Sequence, residues 1–515
     1  MKKKVLLLVL AAFAGAGIAW WCMSSGVGVS PDSVIYLSAA DSFAAGTGLK
    51  PIAFHYSPRV PEGETLVSFP PVYPMLLSLS RIPNINRVGG VRALHSLLFA
   101  ANIFLVGLIV YLVTARSLLA ALIGSLLFVS SAHILEIHTM AWSEPPFILF
   151  ILLAALLLMR HLTTRNYPLL VGASLSAGLA ITTRYAGLTI LPPMIITIVF
   201  LDDAPLRSRI RKCLIIVGLG IFPLALWLLR NRLVADSATN RSLAFHPLKH
   251  SDFNAMGQAL VAFWVPFSGG AYLKITFLFF GVCLVLTGIV LAIKSRRSEQ
   301  CERIIPAMQM FAAVFITTYL LFLCAYNSFM DPAVDLSTRV LSPVYGPAII
   351  LVICVSYKLS RLGTRVLLWR GFLLLSFALI VINAKHAVSF AAARHNDGSG
   401  YASRAWAGSG SIEYLRNSSN VRTTYSNGID AVYFLTKKNA LRIPAKIDPT
   451  TGKNNLDFER DINSMRNELF QNRAVLVYLD KITWRWYLPT KDELNNVYKL
   501  PVLIQLDDGT IYGIK

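Results

Sequence analysis

Four charged residues lie at the edges of long apolar stretches, where charged groups are rare. Asp32 follows the first apolar run, Glu144 stands just before a Pro-Pro pair that opens another, and Arg184 and Arg339 flank two later runs. A carboxylate can serve as a general base toward a sugar or alcohol hydroxyl. A guanidinium presents a planar fork of donors that matches phosphate oxygens. These residues are therefore our candidates for proton transfer and for phosphate binding.

Each of the four also has a simpler interpretation. Asp32 fits the N-cap of a helix, and Glu144 fits an interfacial residue that starts an apolar helix before its first-turn prolines. Arg184 and Arg339 would then pair with a buried carboxylate or reach toward lipid headgroups. Because capping is compatible with catalysis, and an ionisable group at the membrane is by default a functional candidate, all four stay in the candidate site.

Histidines in predicted outer segments raise the alternative of a divalent metal ion. Asp32 or Glu144, together with His55 or His138, would supply oxygen and nitrogen ligands. Their spacing matches no diagnostic ligand pattern, and surface or structural histidines are the simpler interpretation. The six cysteines include no CxxC pair or Cys/His zinc pattern. A divalent metal thus stays an open alternative, with no cofactor identified.

The composition is that of a membrane protein. Hydrophobic residues make up 55% of the 515 residues and charged residues 15%, and the mean hydropathy is +0.57. An ordinary soluble domain has about 25% charged residues. The net charge of +21 comes largely from short Lys/Arg clusters between apolar runs. Such clusters are typical of cytoplasmic loops, so the charge favours contact with membrane lipids over nucleic-acid binding.

The apolar runs predict a polytopic α-helical membrane protein with about eleven transmembrane helices and a C-terminal extracytoplasmic α/β domain. Short basic loops alternate with longer loops of mixed charge, which places the N-terminus in the cytoplasm. The first run is predicted to remain as an anchor, while small residues within it keep signal cleavage open. The predicted spans are residues 5–23, 91–114, 118–133, 145–158, 167–183, 186–201, 213–229, 271–293, 304–326, 340–356 and 366–383.

The chain divides by composition into two predicted domains. Residues 1–384 form the transmembrane domain, with a large first outer loop at 24–90, and residues 385–515 form the soluble domain. In the second part, apolar spacing predicts helices at 411–416 and 457–471 and strands at 421–425, 474–478 and 502–506.

Several short motifs resemble those of the GT-C superfamily of polytopic glycosyltransferases, which includes protein O-mannosyltransferases and the aminoarabinose transferases that modify lipid A. The resemblance covers residues 2–345, and Ser33 stands where many relatives have a second acidic residue. The motifs are Asp32 with Tyr36 four residues on, Gly46-Thr47-Gly48-Leu49, Phe69-Pro70-Pro71-Val72-Tyr73-Pro74, Ser143-Glu144-Pro145, Thr183-Arg184-Tyr185-Ala186-Gly187 and Arg339-Val340-Leu341-Ser342-Pro343.

The resemblance implies an inverting transferase on the outer face of the plasma (inner) membrane. It would move a sugar from a polyprenyl-phosphate donor to a hydroxyl of a lipid, glycan or protein acceptor. Asp32, as general base, and Glu144 would be the catalytic residues. The implied substrate-binding residues are Tyr36, Tyr73, Arg184, Tyr185 and Arg339.

Two other classes of function stay open. The first is a transporter or flippase for a lipid-linked sugar, with an outer ligand-binding domain, although the related halves typical of transporters are not evident. The second is a membrane-anchored assembly protein that docks through its C-terminal domain. Release of free polyprenyl phosphate that depends on an acceptor would distinguish the transferase from both.

Overall fold

The structure is a computed structural model that describes residues 2–51, 65–81, 87–235, 237–239, 241–266, 270–295, 303–361, 366–418, 422–449 and 452–514. Within these ranges the chain is mostly helical. The helices are α1 (Lys2–Cys22), α2 (Pro31–Ala44), α3 (Val72–Ser78), α4 (Arg87–Val113), α5 (Leu118–Ser130), α6 (Ala132–Thr139), α7 (Glu144–Thr164), α8 (Tyr167–Thr183), α9 (Leu191–Leu201), α10 (Leu206–Ala235), α11 (His250–Ala262), α12 (Ala271–Lys294), α13 (Ile304–Phe329), α14 (Thr338–Ser360), α15 (Val366–Asp397), α16 (Arg404–Ala407), α17 (Gly410–Asn417), α18 (Ile429–Thr436) and α19 (Phe458–Phe470). The strands are β1 (Ser242–Leu243), β2 (Met330–Asp331), β3 (Thr423–Ser426), β4 (Leu441–Arg442), β5 (Ala474–Leu479), β6 (Val502–Leu506) and β7 (Gly509–Tyr512).

The chain forms two compact units. The larger unit comprises residues 1–24 and 66–396, and the smaller comprises 25–65 and 397–515. The segment 24–90, predicted as one outer loop, thus contributes to both units. The domain boundary at 384 stays a prediction.

The larger unit contains the apolar helices. Among the described residues, eight helices are long and apolar enough to cross a membrane, and α5 with α6 makes a ninth if this pair, bent by 66°, is one span. Two shorter apolar helices follow at Tyr167–Thr183 and Tyr185–Leu201. The predicted polytopic α-helical class is confirmed, and the count of eleven stays a prediction.

The smaller unit is built on a five-stranded mixed sheet with the order β4-β3-β5-β7-β6. β3 runs parallel to both β4 and β5, whereas β7 is antiparallel to β5 and β6. Helix α19 buries one apolar face in the core that contains Leu476 of β5. Its buried residues recur at the three- and four-residue spacing of a helical face. They are Phe458, Ile462, Met465 and Leu469. The helices and strands predicted in this region are confirmed, with ends that differ by no more than two residues.

Asp508 ties the loop before β7 to the start of α17. Its carboxylate accepts hydrogen bonds from the Ser409 hydroxyl and from the backbone N–H and hydroxyl of Ser411. Burial alone would raise the pKa of Asp508, but the hydrogen bonds from Ser409 and Ser411 outweigh it and lower the pKa. A carboxyl whose pKa is lowered by folding stabilises the fold above its unfolded pKa, and this contribution is lost as the pH falls through the folded pKa.

Asp508→Asn is therefore expected to weaken this corner at neutral pH. The loss is about 1 to 2 kcal/mol, because hydrogen bonds to a charged group are the stronger kind. Hydrogen exchange of residues 409–417 in the full chain, corrected for intrinsic rates, would measure it. The difference from wild type should shrink as the pH falls below the folded pKa of Asp508. The exposed neighbour Asp507 supplies the control Asp507→Asn, and equal protection in both variants at neutral pH would contradict the expectation.

Candidate functional site

Glu144 is the centre of a charged cluster at the start of α7. Residues 140–143 connect α6 to α7, Glu144 is the first residue of α7, and two prolines follow it in the first turn. Proline lacks a backbone N–H and is tolerated there, so the sequence fixes the helix start beside the carboxylate. The Glu144 side chain is fully buried, and so is that of Ser143.

Two arginines meet on one oxygen of this carboxylate. Arg184 Nη1 lies 2.6 Å from Glu144 Oε1 and 2.9 Å from Ser143 Oγ. Arg339 Nε lies 2.8 Å from the same Oε1. Arg339 also places its Cζ 4.4 Å from the centroid of the Trp142 ring, in a cation–π contact. The structure thus brings together three of the predicted site residues, from the start of α7, the break after α8 and the start of α14.

Glu144 shares one carboxylate oxygen between two guanidinium groups. Taken by themselves, these three side chains carry one negative and two positive formal charges. Glu144 is inaccessible, whereas the side chains of Arg184 and Arg339 are 19% and 23% exposed. The two arginine side chains are therefore the partly exposed members of this set. Held arginine forks of this kind suit a phosphate group.

Arg184 lies beside Glu144 because the helical structure is interrupted at this residue. α8 ends at Thr183, Arg184 is extended with φ −148° and ψ 135°, and a 3₁₀ turn at Tyr185–Ile190 leads into α9. A Cβ at Gly187 would lie 2.6 Å from Cα of Ile181, so only glycine permits this close return. Prolines in the first turn of α9 then fix its start.

Tyr185 anchors the segment that precedes α3. Its hydroxyl donates to the carbonyl of Val67 at 3.0 Å and accepts from the indole N–H of Trp227 at 3.2 Å. Arg230 donates to the neighbouring carbonyl of Leu66 at 3.1 Å. The predicted role of Tyr185 in substrate binding stays a prediction, and these bonds hold its ring beside Arg184.

A buried polar network that the sequence reasoning missed lies behind Glu144. Tyr73 O–H is 2.8 Å from His95 Nε2, and His95 Nδ1 is 3.0 Å from the carbonyl of His138. Asn102 Nδ2 is 2.9 Å from His138 Nε2 and 3.0 Å from the carbonyl of Pro145. The sequence signal that could have revealed the network was the pair His95 and Asn102, seven residues apart on one face of an apolar helix.

Two predicted site residues belong to this network. Tyr73 is fully buried, and its hydroxyl bonds to His95, which favours a supporting role over the predicted substrate contact. His138 is also fully buried, and Nδ1 lies 2.8 Å from the carbonyl of Ile134 while Nε2 faces Asn102. Both ring nitrogens thus have hydrogen-bond partners within the protein, and the predicted role of His138 as a metal ligand stays a prediction.

Asp32 and Tyr36 lie on α2 in the smaller unit. The expectation that Asp32 caps this helix is wrong. Ser30 is the N-cap, and its side chain and that of Ser33 form a reciprocal capping box. Pro31 takes the first helical position, where proline is favoured, so the cap must be the residue before it. Asp32 is half-buried in the first turn, and Tyr36 is buried.

The described residues give little support to a metal centre. Within the described ranges, no three His, Cys, Asp or Glu side chains come together in a way that could hold an ion. Glu144 faces two arginines, and a nearby cation would be repelled by both. His55, the remaining predicted ligand, lies outside the described residues. We therefore derive no catalytic step through a metal ion.

Comparison with known proteins identifies the fold. No family model and no curated protein matches the sequence. The structure is similar to ArnT from Cupriavidus metallidurans in the apo state, with a TM-score of 0.52 and 13% identity over 98% of this chain and 97% of that chain. ArnT bound to undecaprenyl phosphate gives a TM-score of 0.50, also at 13% identity, over 98% of this chain and 97% of that chain.

Two larger enzymes show the same fold. The oligosaccharyltransferase AglB from Archaeoglobus fulgidus, in complex with an inhibitory peptide and a dolichol-phosphate, matches with a TM-score of 0.50 and 13% identity over 92% of this chain and 70% of that chain. The arabinofuranosyltransferase AftD from Mycobacteria matches with a TM-score of 0.51 and 13% identity over 99% of this chain and 42% of that chain. The resemblance to GT-C glycosyltransferases is thereby confirmed at the level of the fold.

Proposed function

We propose that this protein is a membrane glycosyltransferase that moves a sugar from a polyprenyl-phosphate donor to an acceptor hydroxyl. The observation that carries the proposal is the pair of guanidinium groups held on the buried carboxylate of Glu144. A fold shared with ArnT and AglB, whose structures hold undecaprenyl phosphate and a dolichol-phosphate, supports a lipid-linked phosphate as the donor class. The acceptor is a lipid, glycan or protein hydroxyl.

The chemistry is a single displacement at the anomeric carbon. The acceptor oxygen forms a bond to that carbon as the bond to the phosphate oxygen breaks, and the configuration inverts. Arg184 and Arg339 stabilise the charge that develops on the departing phosphate. Asp32 accepts the proton of the acceptor hydroxyl, a role assigned from its motif. Glu144 positions the two arginines, and Tyr36 and Tyr185 remain predicted substrate contacts.

The proposed topology follows from charge and from the apolar helices. The eight long helices, the bent pair and the two shorter apolar helices add up to the eleven spans of the sequence prediction. Clusters such as Arg207, Arg209 and Arg211 then face the cytoplasm together with the N-terminus. The reaction and the smaller unit would lie on the outer face of the inner membrane, where donors must arrive as lipid phosphates.

Binding of undecaprenyl phosphate by the purified protein tests the phosphate site. Arg184→Gln is expected to weaken the affinity about 10- to 100-fold, because charge-assisted hydrogen bonds are lost and each 1.4 kcal/mol is tenfold. The matched control is Arg394→Gln, since Arg394 pairs with a carboxylate at 3.3 Å but is 32% exposed. Wild type that binds undecaprenyl phosphate no better than a phospholipid of equal charge would overturn the site.

Transfer itself separates the proposal from the transporter alternative. Membranes holding the protein are given a set of radiolabelled polyprenyl-phosphate sugars and acceptor-containing envelope extracts. A transferase releases free polyprenyl phosphate in step with labelled product. Movement of the intact labelled lipid across the membrane, with no cleavage of the sugar–phosphate bond, would instead establish a flippase.

A further inference from the structure

The buried network behind Glu144 has a function that the proposed chemistry does not yet use. We propose that His95 and Asn102, on one face of α4, are positioning residues that hold the segment 138–145 and so fix Trp142 and Glu144 beneath the two arginines. We name the hydrogen-bonded set Tyr73, His95, Asn102 and His138 the α4 latch. Its effect on phosphate affinity rests on the proposed function, whereas its effect on the position of Trp142 does not.

The backbone carbonyls and the amide of the latch determine which ring nitrogens of His95 and His138 donate a hydrogen bond. His138 Nδ1 faces the carbonyl of Ile134, so this nitrogen must donate, and Nε2 must accept from the Asn102 amide. His95 Nδ1 faces the carbonyl of His138, so it also donates, and His95 Nε2 accepts from the hydroxyl of Tyr73. Both imidazoles thus carry a proton on Nδ1, and the Asn102 amide requires the neutral ring at His138. Each bond is defined by its neighbour, which makes the set a single unit.

Asn102 forms hydrogen bonds to both ends of the segment 138–145. One amide group bonds to the ring of His138, in the last turn of α6, and to the carbonyl of Pro145, in the first turn of α7. His95, seven residues before Asn102 on the same face of α4, adds a bond to the backbone carbonyl of His138. The loop that carries Trp142 and Glu144 is thus fixed at both of its attachment points to α4.

The burial of the latch disfavours other positions of the segment 138–145. The side chains of His95, Asn102 and His138 are all fully buried. A buried polar group that loses its partner keeps the full cost of its desolvation, so alternative placements of the segment are disfavoured. Aromatic rings enclose the centre of the latch, with Phe99 4.7 Å and Phe128 5.9 Å from the His138 ring. Water is a poor substitute for Asn102 in such surroundings.

The latch reaches the functional cluster through Trp142 and Glu144. Arg339 lies over the Trp142 ring, and Glu144 Oε1 receives both guanidinium groups. The hydrogen bonds of His95 and Asn102 to this part of the chain go to His138 and Pro145, so both residues act through the segment 138–145 and not on the phosphate. A shift of the segment would change where both guanidinium groups point. Small displacements of binding groups are costly in enzymes even when the cause is remote.

The fluorine resonance of a labelled Trp142 reports the position of this side chain. It should stay unchanged if the latch only stabilises the fold. The protein is labelled with 5-fluorotryptophan, and the Trp142 resonance is assigned with Trp142→Phe among the nine tryptophans. Asn102→Ala is expected to change the shift or width of this resonance and to leave those of the exposed Trp484 and Trp486 unaltered. The matched control is Ser125→Ala, since Ser125 is equally buried and bonds to α4 at the Ile103 carbonyl. An unchanged Trp142 resonance in Asn102→Ala overturns the positioning role.

A milder variant protects the test against misfolding. In Asn102→Ser the hydroxyl can bond to its own helix, so folding is favoured while both latch bonds are lost. This variant should show the same change in the Trp142 resonance. Its affinity for undecaprenyl phosphate should be about tenfold weaker, as is typical when a residue that orients a binding group is lost. Wild-type affinity in a variant whose Trp142 resonance moves overturns the link to the phosphate site. Failure of the wild type to bind the lipid overturns the proposed function instead, and the fluorine spectra still decide the latch.

Discussion

Sugar transfer by Asp32→Asn is expected to fall about 10²- to 10⁴-fold, the usual contribution of a general base. The amide keeps the size of the side chain but cannot accept the proton of the acceptor hydroxyl. The helix itself should be retained, because Ser30 and Ser33 form its capping box. Undecaprenyl phosphate affinity should stay within about twofold of wild type, since the arginines proposed to bind the phosphate are untouched.

The control for this experiment is Asp41→Asn, which changes a carboxylate near the end of the same helix. Transfer is measured with radiolabelled donors in membranes that contain equal amounts of each variant. Loss of transfer in Asp32→Asn alone would support the base assignment. Full transfer by Asp32→Asn would move the base to another residue and would leave the phosphate site of Arg184 and Arg339 in place.

Glu144→Gln is expected to destabilise the larger unit strongly. It leaves Arg184 and Arg339 close together without the carboxylate they share, and breaking a buried ion pair costs about 3–5 kcal/mol. Partial exposure of the arginines places the effect near the lower end, about 3 kcal/mol. Thermal unfolding in detergent should shift downward by about 5 °C or more. Transfer should fall as well, because the two guanidinium groups lose their common anchor.

Glu136→Gln is the matched control, eight residues earlier in the chain. Glu136 pairs with Arg394 at 3.3 Å, but both side chains are about one-third exposed. An exposed pair of this kind contributes about 0–1 kcal/mol, so the control should unfold close to wild type. Equal shifts for both variants would show that the Glu144 cluster is no more than a surface pair. A double variant with Arg184→Gln should lose less than the sum of the single losses, because both changes remove one interaction.

Much of the candidate site could be predicted because its charges stand out against apolar sequence. Glu144, Arg184 and Arg339 each interrupt or border a long hydrophobic run, and a charge in that position needs a reason. Their pairing could not be derived, since nothing in the sequence says which of several helix ends meet. The simpler interpretation, an arginine paired with a buried carboxylate, holds for both arginines and is compatible with phosphate binding.

The supporting residues were harder to predict for the opposite reason. His95 and Asn102 lie inside the apolar helix α4, where single polar residues usually satisfy themselves locally. Only their placement on one face hints at a partner, and that partner lies 36 to 43 residues farther along the chain. The cap of α2 was misassigned because acidic residues are good caps in general, while the proline at the first helical position dictates the residue before it.

The break at Arg184 has a consequence for how the protein enters a membrane. α8 has 17 residues and α9 has 11, and each is shorter than the roughly 20 residues that cross a bilayer unaided. The hydroxyls of Thr182 and Thr183 donate to the carbonyls of Gly178 and Leu179 at 2.6 Å, so these polar side chains are satisfied within α8 itself. On the eleven-span topology, the two helices would have to insert together as a hairpin. Arg184 would then be carried through the bilayer at the tip of that hairpin, and its first charge partner, Glu144, would already be in place.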